Sequence, residues 1–174
     1  MDQTDVGLLA LRILLAGLLF GHAMQKSAGW FGGGGRSSTA PVFESWGFRP
    51  GHVMVTAAAV SEVVGAALVV TGLAFPLGCA IVLGTMIVAA SPNAKNGLWA
   101  QQGGCEVPVF YGALAAGLAI TGPGSASLDD ALDLYTQQWW MPVAAIALGV
   151  AASIPPIVRS RSLLRASTGR ADLL

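Results

Sequence analysis

Residues 6–24 read VGLLALRILLAGLLFGHAM, an apolar run with one charge, Arg12, and one histidine, His22. A hydrocarbon core about 30 Å thick is crossed by about 20 helical residues. The stretch therefore predicts a membrane-spanning helix. A secretory leader is disfavoured, because Asp2 and Asp5 stand where a leader carries positive charge and the apolar run is too long for its central region. The run is expected to be a retained first span.

Working outward, four further apolar runs follow. The second covers about 53–71. Gly72 and Pro76 bracket a turn, and a short third span covers about 77–90. The fourth covers about 107–120 and stops at Gly122-Pro123-Gly124. The fifth covers about 139–158; Pro142 suits its first turn, and Pro155-Pro156 should kink or end it. The rest of the composition agrees. Of 174 residues 54% are hydrophobic and only 10% charged, with a mean hydropathy of +0.66. A water-soluble domain carries about 25% charged residues, so much of this surface must face something apolar. Net charge is zero, and no nucleic-acid signature is present.

Charge placement sets the expected topology. With five spans, Lys26, Arg36, Arg49, Lys95, Arg159, Arg161, Arg165 and Arg170 all fall on one side; the ninth basic residue, Arg12, lies inside the first span. Asp2, Asp5, Asp129, Asp130 and Asp133 collect on the other side. The bias of Lys and Arg toward cytoplasmic loops then puts the N-terminus outside and the C-terminus inside, in a plasma (inner) membrane of bacterial type. An even span count would split the basic loops between the two sides. Trp30, Trp46 and Trp99 fall at the inner interface, Trp139 and Trp140 at the outer one, as an aromatic belt requires.

The long connection 25–52 contains four consecutive glycines, Gly32 to Gly35. No Lys-Ser/Thr follows and no strand precedes, so it is a turn and not a phosphate loop. Beyond it, Thr39 is expected to cap a short interfacial helix with Pro41 near its start and Gly47 at its end. Cys79, within an apolar run, and Cys105, in a polar loop, are expected not to pair.

Two groups of residues could carry chemistry. Arg12 and Glu62 are charges placed inside the membrane, where an ionised side chain costs at least about 2.5–3.5 kcal/mol. Their depths predict that they pair, either as a structural link between spans one and two or as a proton-linked or ligand-binding site. His22, Gln25, Lys26, Asn96 and Glu106, with Asn93, Trp30 and Trp99 nearby, converge at the cytoplasmic ends of the spans. A polar head group could dock there with its tail between helices; a quinone and a lipid both suit. The alternative is ordinary interfacial anchoring, with Lys26 extended to water. Gly17 and Gly21 form a GxxxG step, common in membrane helices. His22 and His52 are the only histidines, and His52 is expected outside the span, so no metal or haem site is expected.

Phe20-Gly21-His22-Ala23-Met24-Gln25-Lys26, then Gly29-Trp30-Phe31-Gly32-Gly33, resembles the signature at the end of the first span of the DoxX family. Phe43 to Phe48, Glu62 with Gly65, Asn96-Gly97, Gly103 to Pro108, and Thr121 to Gly124 with Ser127-Leu128-Asp129 extend the resemblance over about 6–133. Cys105 departs from the aromatic residue common there. The resemblance implies an all-α membrane protein: a DoxX-like four-helix transmembrane bundle in 1–133, here followed by an additional transmembrane helix in 134–158 and a basic cytoplasmic tail in 159–174. It also implies His22, Lys26, Glu62 and Glu106 as the positions to watch. Relatives include small subunits of thiosulfate:quinone oxidoreductases and proteins of oxidative-stress complexes. Three functions are open: an accessory or small subunit of a redox membrane assembly that contacts quinone; the catalytic small subunit of a quinone-linked oxidoreductase; and a small-solute or lipid transporter or binding protein. The first is favoured, because the chain has no CxxC and no cofactor motif. It would hold no intrinsic cofactor and would work with other membrane subunits.

Overall fold

The computed structural model describes residues 1–134 and 138–171, with side chains described as far as Ser167. Arg170 and the last residues of the basic tail lie outside the described side chains. Among the described residues the structure is all-helical. Its helices are α1 (Gln3–Ser27), α2 (Gly35–Ser45), α3 (Gly51–Thr71), α4 (Phe75–Ala90), α5 (Glu106–Thr121), α6 (Leu128–Ala131) and α7 (Trp140–Ala171), with two single 3-10 turns between α4 and α5. Three are long and apolar enough to cross a membrane: Gln3–Ser27, Gly51–Thr71 and Trp140–Ser167. Helices α4 and α5 are as apolar but have 16 residues each, about 24 Å at about 1.5 Å per residue.

Helix α1 packs on α3, α3 on α4, and α4 on α5, with a lighter contact closing α5 back to α1. This four-helix bundle encloses a core of Leu15, Leu19, Val69, Phe75, Val82, Ala115 and Leu118. Many large apolar side chains stay exposed on its outer faces, among them Ile13, Leu14, Val60, Phe110 and Ile120. In water such faces would be a liability; in lipid they are the solvent-facing surface. Helix α7 lies against α4 and α5. Gly84 and Gly149 bring α4 and α7 together at backbone distance: a Cβ on Gly84 would stand 2.8 Å from the Gly149 carbonyl oxygen. Small residues allow this close approach between membrane helices.

Helix α7 runs unbroken through Pro155 and Pro156 to Ala171, so the prolines do not end it and residues 159–171 continue the helix. Membrane helices tolerate proline where neighbours support the helix. Here Ser160 Oγ, four residues past Pro156, donates to the Trp46 carbonyl at 2.6 Å. The short interfacial helix also starts earlier than expected. Gly34 and not Thr39 caps α2, and Thr39 Oγ1 donates to the Gly35 carbonyl inside the helix at 2.7 Å. The glycine run makes this start possible: a Cβ on Gly33 would stand 2.3 Å from the Gln25 carbonyl oxygen.

The two ends of the bundle differ in charge. At one end α2, the connection from α2 to α3, the connection from α4 to α5 and the far part of α7 carry Arg36, Arg49, Lys95, Arg159, Arg161 and Arg165. At the opposite end lie Asp2, Asp5, Asp129, Asp130 and Asp133. That acidic end is tied by side chains. Asp5 accepts from the Ser125 amide at 2.8 Å, and Asp129, only 3% exposed, accepts from the amides of Ala74 and Phe75 at 2.8 and 2.9 Å.

Candidate functional site

Arg12 and Glu62 do not pair. Arg12 is fully buried, and its guanidinium is spent on four carbonyl oxygens. Nε donates to Val69 at 2.8 Å, Nη2 to Val70 at 2.7 Å, and Nη1 to Pro123 at 2.7 Å and Ala126 at 2.9 Å. Val69 and Val70 belong to the last turn of α3, whose carbonyls have no partner within the helix. A cation at a helix C-terminus is favoured in addition by the helix dipole. Arg12 is therefore a cap supplied by another helix, and the Phe75 ring covers it at 5.6 Å. Gly72 follows with φ +67°, and a Cβ there would strike Arg12 Nη2 at 2.5 Å.

Glu62 pairs instead with Lys26, Nζ to Oε1 at 2.5 Å. The direction of side chains explains both outcomes. Helical side chains lean toward the N-terminus of their own helix. In α1 that displaces the Arg12 head toward the end of α3 and the Lys26 amine back toward the bundle centre. Helix α3 runs the other way, so Glu62 leans toward Lys26. Depths counted along Cα positions missed these opposed displacements.

The Lys26–Glu62 pair stands on the wall of a cavity of about 570 Å³, near the basic end of the bundle. Helices α1 to α5 and α7 all contribute to it. His22, Lys26, Glu62, Asn93 and Tyr111 are its main polar members; Leu19, Phe43, Phe48, Met54, Ile81, Met86 and Val88 supply apolar walls. Tyr111 Oη and His22 Nε2 approach to 3.4 Å, with ring centroids 5.7 Å apart. Glu62 is 2% exposed, and its second oxygen, Oε2, is buried with no hydrogen-bond partner among the described residues. The size and the balance of many apolar and few polar groups are those of a small-molecule site.

The cytoplasmic-side cluster expected from the sequence therefore divides. His22 and Lys26 reach the cavity. The others bond within loops: Gln25 Nε2 donates to the Phe31 carbonyl at 3.4 Å, Asn96 Nδ2 to the Gly103 carbonyl at 3.0 Å, and Glu106 Oε2 accepts from the Ala100 amide at 2.9 Å. These fix the connections that border the site. Trp30 is held edge-on against Phe20, and Trp99 is exposed. Cys79 is buried on α4, and Cys105 directs its Sγ at the Gly97 carbonyl at 3.5 Å. Tyr111 was not singled out in the sequence. Its signal was available, since a tyrosine inside an apolar span needs a partner for its hydroxyl.

No curated protein and no solved structure matches the chain. The family model described as DoxX matches residues 7–93. That match takes in α1 to α4 and, with them, His22, Lys26, Glu62 and Asn93 of the cavity wall; Tyr111 and α7 lie beyond it. On that match, together with an all-helical architecture rich in apolar spans, the chain belongs to the DoxX family of integral membrane proteins.

Proposed function

We propose that the protein is an accessory or small subunit of a redox membrane assembly, and that its cavity receives the head of an amphipathic ligand, a quinone or its reduced hydroquinol form in the first instance. The observation that carries this reading is the cavity itself: a Lys26–Glu62 pair whose carboxylate is buried and the His22–Tyr111 contact, set in apolar walls within a helical bundle. A polar head would meet those four side chains while its tail lies among Met54, Ile81 and Val88. The chain would supply the binding surface, and a partner subunit the redox centre. In this reading all five apolar helices, α1, α3, α4, α5 and α7, cross the membrane. The basic end faces the cytoplasm and the N-terminus lies outside, which the one-sided distribution of Lys and Arg supports.

The test is gentle detergent extraction from native membranes, with co-purifying proteins and bound quinone identified by mass spectrometry. Quinone or hydroquinol should be retained by the wild-type protein and lost on combining His22→Ala with Lys26→Ala. A protein isolated alone and free of quinone overturns the redox reading. It would favour the second one, a lipid or small-solute carrier, which the presence of an ion pair on the cavity wall also supports.

A further inference from the structure

We infer that the cavity is selective for a neutral, lipid-soluble molecule whose head carries a hydroxyl donor, and that it discriminates against the carbonyl or ether counterpart of the same molecule. This rests on reading the cavity as a ligand site and adds the chemical class that the site prefers.

The inference comes from what the wall groups lack. An ionised carboxylate only accepts hydrogen bonds. Glu62 uses Oε1 on Lys26 and leaves Oε2 buried and unpartnered. A buried acceptor left unpaired is costly, and the cost is recovered by whatever brings it a donor. The terminal torsion of a glutamate is soft, so a small rotation of the carboxylate turns its free lone pairs toward the cavity. The demand of this site is thus for an O–H or N–H. Donors are not short, because the Lys26 ammonium has three N–H bonds and Glu62 engages it through a single oxygen. The contact between Tyr111 and His22, at 3.4 Å, is longer than an ordinary hydrogen bond of this kind. A ligand oxygen can draw the tyrosine hydroxyl away at little cost.

Charge narrows the class. Lys26 and Glu62 cancel, and among the described residues no other Asp, Glu, Lys or Arg lines the cavity. A cationic head would satisfy Glu62 but add an uncompensated charge among membrane helices. A neutral hydroxyl satisfies Oε2 without that charge, and its oxygen accepts in turn from Lys26 or Tyr111. Two membrane sources share this chemistry, a hydroquinol and a lipid alcohol such as a diacylglycerol.

The experiment compares two probes that differ by one donor. The purified full-length chain, in detergent micelles, is titrated calorimetrically with 4-hexylphenol and with its O-methyl ether. The phenol should bind at least about tenfold more tightly. In Glu62→Gln, which places amide donors where the unpaired oxygen stood, the preference should fall below about twofold. Equal affinity of the two probes for the wild-type protein overturns the inference without any variant, and failure of both to bind overturns the ligand site as well. Titration with a short-tailed hydroquinone and its quinone, and with dioctanoylglycerol, separates the two sources. If neither quinone form binds while the phenol preference stands, the redox reading fails and the donor requirement survives.

Discussion

Replacing Lys26 by methionine should cost much more stability than replacing Glu62 by methionine, although each change removes one half of the same ion pair. The Glu62 side chain is 3% exposed and that of Lys26 is 20% exposed. Lys26→Met leaves a carboxylate shut in the bundle with both oxygens unpaired, and breaking a buried pair in this way costs about 3–5 kcal/mol. Glu62→Met leaves the ammonium in the last turn of α1, from where its long stem extends to water; about 1 kcal/mol is expected, the scale of a solvated pair. The double variant replaces a buried pair by apolar side chains of similar length, which is often neutral, so it should lie within about 1 kcal/mol of the wild type. The coupling between the two sites is then about 3 kcal/mol or more, well above the scatter for independent sites. Unfolding of the detergent-solubilised protein, followed by circular dichroism against denaturant, measures all four members of the cycle. Equal costs for the two single changes, or additive costs in the double variant, would refute the argument from unequal burial.

Other expected outcomes follow from the same geometry. Arg12→Met should destabilise by about 3–6 kcal/mol, from the loss of two fully buried charge-assisted bonds at about 1.5–3 kcal/mol each, those to Val69 and Pro123; Arg12→Lys, lacking the planar fork, should recover less than half of this in the same assay. Gly84→Val should cost about 1–3 kcal/mol by overpacking and should loosen α7 from α4, read as faster proteolysis in the connection between α5 and α7; unchanged cleavage would count against the close approach at Gly149. A reporter fused to the C-terminus should be active in the cytoplasm, and a periplasmic signal would overturn the five-span orientation.

Helices α1, α3, α4 and α5 were legible in the sequence because each buries its backbone hydrogen bonds within an apolar run, and the limits of such runs are set by residues such as Gly72 and Gly122. The course of α7 was not, since Pro155 and Pro156 are local signals, whereas the contacts that carry the helix onward, Ser160 with Trp46 and Gly149 with Gly84, join residues far apart in sequence. The same limit governed the polar residues. Arg12, His22, Lys26 and Glu62 each stand out in the sequence, but the sequence gives only their depth, and depth does not include the lean of a side chain along its helix. In the sequence Asp129 is one of five acids gathered on the outer side. Its burial against the Ala74 and Phe75 amides depends on a turn 54 residues earlier.

The position of Arg12 also bears on the order in which the protein is made. Its four partners are Val69, Val70, Pro123 and Ala126, all synthesised after the first helix. While α1 waits in the bilayer its cation is unsatisfied, a burden of about 2.5–3.5 kcal/mol on insertion scales. Half of the relief arrives with α3, and the remainder only when the chain has passed residue 126. The full set of partners for Arg12 thus exists only once the α5 exit has been made, and the first helix cannot complete its contacts before then.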